Sequence, residues 1–285
     1  MTEAAARRSS RTRANVRVVD DGRAVHRTDS LATEEPMETR VLAGGASHTI
    51  AVTMRTPGAD FELAAGFLYG EGVVSRREQV ARITYCVDRD VASDQRYNIV
   101  NVEVRGDFEI DVRGLDRHFY TSTACGVCGK ASLEAVRMRD LPALTVGTPT
   151  VPASVVRGLP DKLRSGQGLF DATGGLHAAA LFTATGELEV LREDVGRHNA
   201  VDKVVGWGLL NRRLPFRESI LVVSGRTSYE ILQKAVAAGI PVVCAISAPS
   251  SLAVDVARDF GVTLVGFLRG SRFNVYSAEE RITTG

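Results

Sequence analysis

The stretch SILVVSGRTSYEILQKAVAAGIPVVCAISAPSSLAVDVARDFGVTLVGFL, residues 219–268, decides the fold. Three short runs in it, 219–223, 241–247 and 262–268, are almost wholly apolar. Between them lie 229–238 and 250–260, which read as helices. Each is closed by a glycine, Gly239 or Gly261, and the second opens on a capping serine, Ser250. Apolar strands alternating with helices imply parallel pairing, with helices on both faces of the sheet. Working outward, 199–210 reads as a helix, and 176–183 and 188–192 as strands about the turn Ala184-Thr185-Gly186. The segment 153–166 reads as a helix that Pro160 threatens to break. Open sheets of this kind take their ligands outside the carboxyl ends of the strands. Those ends are 224–227 (SGRT), 247–250 (SAPS) and 269–272 (RGSR).

Upstream of LPALTVGTPTVP (141–152) the pattern changes. Short stretches at 16–19, 48–53, 81–87, 97–104 and 108–112 read as strands, Gly106-Asp107 as a turn, and 62–68 as part of a short helix. The expected organisation is a disordered tail over 1–15, a β-rich α+β part over 16–145, and an α/β domain over 146–285.

With 44% hydrophobic and 24% charged residues, the 285-residue chain is neither disordered, collagenous nor a disulfide scaffold. Lys+Arg 35 against Asp+Glu 34 leaves a net charge of +1, which offers no broad surface for nucleic acid. No apolar run approaches the ~20 residues that span a bilayer, so no membrane is expected. Arg7-Arg8 lacks the apolar segment that follows a twin-arginine signal, and four cysteines are too few for a secreted disulfide framework. The expectation is a soluble, cytoplasmic protein.

The sharpest local motif is Thr121-Ser122-Thr123-Ala124-Cys125-Gly126-Val127-Cys128-Gly129-Lys130. Structural zinc would need a second close pair, and Cys86 and Cys244 stand alone. A thioredoxin-like motif would sit between strand and helix of a βαβ unit, a pattern that the preceding half lacks. The third reading is a thiol that carries reactive sulfur. The flanking glycines let a partner's backbone approach, and Lys130 with a following helix start favours a thiolate. A persulfide formed on one cysteine can be released when the second closes a disulfide. Cys86 and Cys244 read as small core residues.

Two further clusters stand out. In EDVGRHNAVDK (193–203) acids, Arg197, His198 and Asn199 crowd a strand-to-helix junction. Asp194 or Asn199 reads as a cap, Asp202 with Lys203 as a surface pair, and the whole as a functional or loop-organising site. His177, in an alanine-rich segment, reads equally as a core residue. Ser224-Gly225-Arg226-Thr227-Ser228 has the groups to cradle a phosphate without the spacing of a P-loop. At 267–276, Arg269 and Arg272 about Gly270-Ser271 can clamp a diphosphate while Phe273 or Tyr276 stacks on a base.

Five stretches in order resemble the FdhD/NarQ family of formate dehydrogenase accessory proteins: TSTACGVCGK, TGGLHAAAL, EDVGRHNAVDKVVG, SGRTSYEILQKA and FLRGSRFNVYS. The resemblance covers about 40–276. It implies a sulfurtransferase that accepts persulfide sulfur from a cysteine desulfurase and passes it to a molybdenum (or tungsten) cofactor. That substrate is the bis(molybdopterin guanine dinucleotide) form, destined for formate dehydrogenase. Cys125 matches the persulfide cysteine and Cys128 its partner. Phe267, Leu268, Arg269, Gly270, Ser271 and Arg272 match the cofactor-binding stretch, with GDP as a fragment mimic and no zinc. The family also implies a cytidine-deaminase-like three-layer α/β/α domain and a homodimer. Deaminase chemistry does not follow, because His177 precedes two alanines and no cysteine lies in SGRT. A thiol–disulfide oxidoreductase and a non-catalytic cofactor chaperone are the competing functions.

Overall fold

In the computed structural model, residues 9–105, 144–145 and 147–284 are described. They begin with a hairpin of β1 (Arg11–Asp20) and β2 (Arg23–Ala32), paired along their full length. Its turn, Asp21-Gly22, has φ of 44° and 78°, the left-handed pair that matches strand twist in a two-residue hairpin. The ladder takes in 11–15, which the sequence pattern assigned to the tail. Apart from Ala14 those residues are polar, so only their cross-strand partners make them a strand.

The next layer is a four-stranded sheet of β3 (Glu35–Ala43), β4 (Ala46–Arg55), β5 (Val80–Tyr85) and β6 (Ile99–Val104), in the order β4-β3-β6-β5. Helix α1 (Asp60–Gly70) packs Leu63, Ala64 and Leu68 against Met37, Val41, Val100 and Val102. Strand β3 was not anticipated, since EPMETRVLA places charges between its buried positions Met37, Thr39 and Val41. Pro36 is tolerated there because it pairs only with β4; the ladder to β6 begins at Glu38.

The second part opens on β7 (Val151–Pro152), α2 (Ala153–Gly166) and α3 (Gly168–Thr173). It continues with β8 (His177–Thr183), β9 (Leu188–Asp194), α4 (Arg197–Leu210), β10 (Ser219–Val223) and α5 (Tyr229–Ala237). It ends with β11 (Val242–Ala245), α6 (Ser251–Asp259), β12 (Thr263–Arg269), β13 (Arg272–Ser277) and β14 (Ile282–Thr283), which pairs with β7. The six-stranded sheet runs β13-β12-β11-β10-β8-β9. The three apolar runs pair in parallel as expected, whereas β8, β9 and β13 make the sheet mixed. Tight hairpins account for the reversals, since only a long crossover could restore a parallel direction.

Alternation along β10 explains the layering. Ile220 and Val222 meet Val156, Leu159 and Leu163 of α2, while Leu221 and Val223 meet Val201, Val204, Ile231 and Ala235 of α4 and α5. That inward stripe holds α2 through Pro160, where the sequence suggested a break. Ser250 caps α6 as expected, its Oγ accepting from Ala253 N at 3.3 Å. Among the described residues no helix is long and apolar enough to cross a membrane.

The two parts meet where α1 crosses α4. A Cβ on Gly66 would fall on the Asp202 carbonyl and within 2.8 Å of Gly206 N. One on Gly206 would fall on the Glu62 carbonyl. Around this crossing Arg192 donates to Glu62 at 2.7 Å and the Tyr69 hydroxyl donates to the Ala237 carbonyl at 2.7 Å. Gly206→Ala should therefore lower unfolding stability by about 3 kcal/mol or more, the upper range for overpacking. Gly168→Ala, where a Cβ meets nothing within 4 Å, should change it far less. Urea denaturation of both variants checks the contrast.

Candidate functional site at the carboxyl edge of the sheet

Strands β10, β11 and β12 are parallel and β8 is antiparallel to them, so three carboxyl ends and the start of β8 share one edge. Their loops are stitched together. Thr227 N donates to the Ala248 carbonyl at 3.3 Å, Ser250 N to the Thr227 carbonyl at 3.0 Å, and Phe267 N to the Ser247 carbonyl at 3.0 Å. The three loops picked out from the sequence thus form one rim.

Within 267–272, Arg269 and Arg272 are directly opposed across the turn Gly270-Ser271, and all four are exposed. Arg269 is partly tethered, its Nε donating to the Ile246 carbonyl at 3.2 Å. Phe267 sits at an irregularity in the β12–β13 ladder with φ 52° and is 45% exposed, an aromatic ring held outward by backbone strain. Leu268 differs from its neighbours. It is fully buried in the core beneath α2, so its contribution to this stretch is packing.

The cluster 193–203 turns inward. The buried Asp194 carboxylate lies 2.7 Å from Lys203 Nζ. It also accepts from Gly196 N at 2.8 Å, Asn199 Nδ2 at 2.8 Å and Thr56 N at 3.2 Å. Lys203 donates to the Thr56 carbonyl at 3.0 Å, and Asn199 to the Met54 carbonyl at 2.7 Å. This network clamps segment 54–56 of the first part onto the sheet edge. The surface pair expected of Asp202 and Lys203 does not form, because both are buried and face apart. Asp202 pairs instead with Lys234 at 2.6 Å. Burial pushes the Asp202 carboxyl up despite Lys234. Burial works against Lys234 as well, but Asp202 and Glu71 hold it above its ordinary value.

Outside that clamp, His198 Nε2 lies 3.0 Å from Ser228 Oγ and 2.9 Å from the Glu230 carboxylate. Burial raises the Glu230 carboxyl, but hydrogen bonds from His198 and Ser228 outweigh it and leave the group below its usual range. His177, half-buried at the start of β8, is lowered by burial and by the neighbouring Arg197 and His198.

Cys125 and Cys128, with the rest of TSTACGVCGK and the strand expected at 108–112, lie outside the described residues. Cys86 and Cys244 are buried, and burial pushes the Cys244 thiol up to about 12. Among the described residues no group of three or more His, Cys, Asp or Glu is placed to hold a metal. The sequence reading missed the buried pair of Arg55 and Asp60, joined by two hydrogen bonds of 3.1 Å. An acid five residues beyond a base across Pro57-Gly58 was its only signal. A groove of about 550 Å³, lined by Leu144, Pro215, Val236 and Pro241 among others, opens at the opposite edge.

Comparison with known proteins extends these observations. The model of the FdhD/NarQ family matches residues 32–283. The chain is 53% identical over 264 residues to the sulfur carrier protein FdhD of Mycolicibacterium paratuberculosis, covering 92% of this chain and 94% of that one. It is 52% identical to the protein of the same name from Streptomyces coelicolor, over 93% of each chain. A crystal structure described as a formate dehydrogenase accessory protein of Desulfotalea psychrophila superposes with a TM-score of 0.73. That pair shares 26% identity, over 96% of this chain and all of that one.

Alkylation of the folded protein with iodoacetamide at pH 8 should leave Cys86 and Cys244 unlabelled. Both are sealed from reagent, and the Cys244 thiol stays protonated far below about 12. Peptide mass spectrometry before and after denaturation checks this, with both residues labelled only once the chain is unfolded.

Proposed function

The chain belongs to the FdhD/NarQ family, and from that premise we propose that it is a sulfur carrier in the maturation of formate dehydrogenase. The observation that carries the reading is its identity of 53% and 52%, over nearly the whole length, with proteins named sulfur carriers. A Cys-x-x-Cys motif in which a glycine follows each cysteine supplies the chemistry.

In the first step the Cys125 thiolate attacks the terminal sulfur of a cysteine desulfurase persulfide. The donor's S–S bond breaks, the donor leaves as a thiolate, and Cys125 carries the added sulfur. In the second, Cys128 attacks the inner sulfur of that persulfide. A Cys125–Cys128 disulfide forms and the terminal sulfur leaves at the sulfide level, as the cofactor's new ligand. Two electrons move from the thiols to the sulfur, so the step balances. The recipient in this reading is the bis(molybdopterin guanine dinucleotide) cofactor, as substrate. Arg269 and Arg272 are exposed where an α/β sheet offers its ligand crevice, and their planar forks suit a diphosphate. Phe267 presents a ring on which guanine can stack. The three-layer second part supports a cytidine-deaminase-like description. A homodimer working in the cytoplasm completes the proposal.

Three outcomes test it. After incubation with a cysteine desulfurase and cysteine, mass spectrometry should find one added, cyanide-labile sulfur on Cys125. Cys125→Ala should abolish activation of formate dehydrogenase while leaving the protein folded. Full client activity in that variant would leave only a cofactor-chaperone role, and the lack of added sulfur even in Cys128→Ala, which cannot discharge a persulfide by closing the disulfide, would point to an oxidoreductase. Arg272→Ala should weaken GDP binding by about 1.5–3 kcal/mol, the scale of a charged hydrogen bond, and leave sulfur loading intact. Calorimetry with GDP on both proteins reads it, and equal affinities remove Arg272 from the site.

A further inference from the structure

The hairpin of β1 and β2 is a long arm on a narrow footing. Each strand has ten residues, so the ribbon is roughly 30 Å long. At its base Thr33 N donates to the Ser10 carbonyl at 3.0 Å, the Thr12 and Thr33 hydroxyls meet at 2.7 Å, and β2 lies against α3. Helix α3 leads through Gly174-Gly175 into β8, whose start lies on the rim formed by the loops after β10, β11 and β12. The arm is therefore rooted beside the candidate site, and residues 19–28 around its turn are all exposed.

Pairing sorts its side chains onto two faces. Arg11, Arg13 and Arg17 share one face with His26, which lies directly opposite Arg17. That face carries no carboxylate, because Asp20 and Asp29 lie on the reverse with Arg23 and Arg27, and Asp21 is in the turn. The three arginines are exposed, and none pairs with a carboxylate among the described residues. They span roughly 20 Å of strand. Towards the turn the same face adds Val19, 65% exposed, opposite Ala24. A two-stranded ribbon is marginal in water by itself, and like charges along one face repel one another. An acidic strip laid against them relieves that repulsion and steers a fast, salt-dependent association. Arginine beside small apolar residues is protein-interface chemistry. A nucleic acid fits less well, since Asp20 and Asp21 stand at the far end of the strip and the chain's net charge is only +1.

We infer that the face bearing Arg11, Arg13 and Arg17 is a docking surface for an acidic patch on formate dehydrogenase, the protein that would receive the cofactor from the adjoining rim. The choice of partner rests on the proposed function, whereas the surface itself rests on the charge pattern of the hairpin and uses neither cysteine of the motif.

Biolayer interferometry of the full chain against the formate dehydrogenase apoprotein of the same organism tests it. The wild type should bind at 50 mM NaCl and at least fivefold more weakly at 300 mM. Arg13→Glu/Arg17→Glu should bind at least tenfold more weakly at low salt. Arg23→Glu/Arg27→Glu makes the same change in net charge on the reverse face and should stay within threefold of wild type. Thermal melts identify a variant that has lost its fold, and Arg13→Gln/Arg17→Gln then carries the test with a loss of at least fivefold. No wild-type binding at 50 mM NaCl would overturn the surface. So would wild-type affinity in the Arg13/Arg17 variants, or equal losses from the two faces, which would reduce the effect to net charge. A loss seen only against cysteine desulfurase, or only against single-stranded DNA, would overturn it too. Sedimentation of Arg13→Gln/Arg17→Gln as a monomer where the wild type is a dimer would give the face to a second copy of the chain instead. Sulfur loading of Cys125 should be unchanged in that variant. Failure of the wild type to load sulfur, with face-dependent binding intact, would remove the carrier function and leave the docking surface standing.

Discussion

Helices α1 and α4 lie backbone against backbone only because Gly66 and Gly206 carry no side chain. Each glycine sits against a carbonyl one turn along the opposing helix, Asp202 for Gly66 and Glu62 for Gly206. Such an approach permits Cα–H···O contacts and leaves no slack for the helices to slide. Much of the candidate site follows from it. With α4 held against α1, the amino end of α4 lands beside Met54 and Thr56, and Asn199 and Lys203 can donate to their carbonyls. The same placement brings Arg197 over Gly225 and His198 onto Ser228 and Glu230. The buried pairs Asp194–Lys203 and Asp202–Lys234 are weak arguments for net stability, since desolvation offsets most of their attraction. What they supply is geometry, because any slip of the helix would strand a buried charge.

The rim separates its charges by environment. Arg269 and Arg272 stand in water on a hairpin turn, where an ion pair is worth little, and Arg269 keeps one bond, to the Ile246 carbonyl. Arg197 and His198 are half-buried beneath loops that bond to one another, so their interactions are screened less. One edge thus offers an exposed pair of guanidinium groups and a more buried polar cluster, separated by the loop after β11.

The sequence was most legible where burial is two-sided. The runs at 219–223, 241–247 and 262–268 announce themselves as strands because nearly all their residues are buried beneath helices, and Ser250, Gly239 and Gly261 mark the helix ends with local chemistry. Legibility fails where the stabilising partner is distant. Nothing in EPMETRVLA signals a central strand until β4 and β6 lie on either side of it. In 193–203 the crowding of polar residues was visible, but not that Asp194 and Lys203 reach Thr56, 138 and 147 residues earlier. Leu268 shows the opposite limit. It lies inside a motif that reads as binding, yet strand alternation turns its side chain to the core.

Burial also bears on the chemistry of the cysteines. A protein that carries sulfane sulfur must keep it from its own remaining thiols, because any thiolate within reach can attack a persulfide and release sulfide. Cys244 lies in the middle of the six-stranded sheet, and burial raises its thiol to about 12, leaving almost no thiolate near neutral pH. Cys86 is sealed at the end of β5. A glycine follows each of Cys125 and Cys128, and glycine is the residue that lets a partner's backbone come close. Thiol chemistry in this chain is thus divided: two cysteines are buried, and the pair left over is the one whose spacing lets a neighbouring thiol complete the transfer.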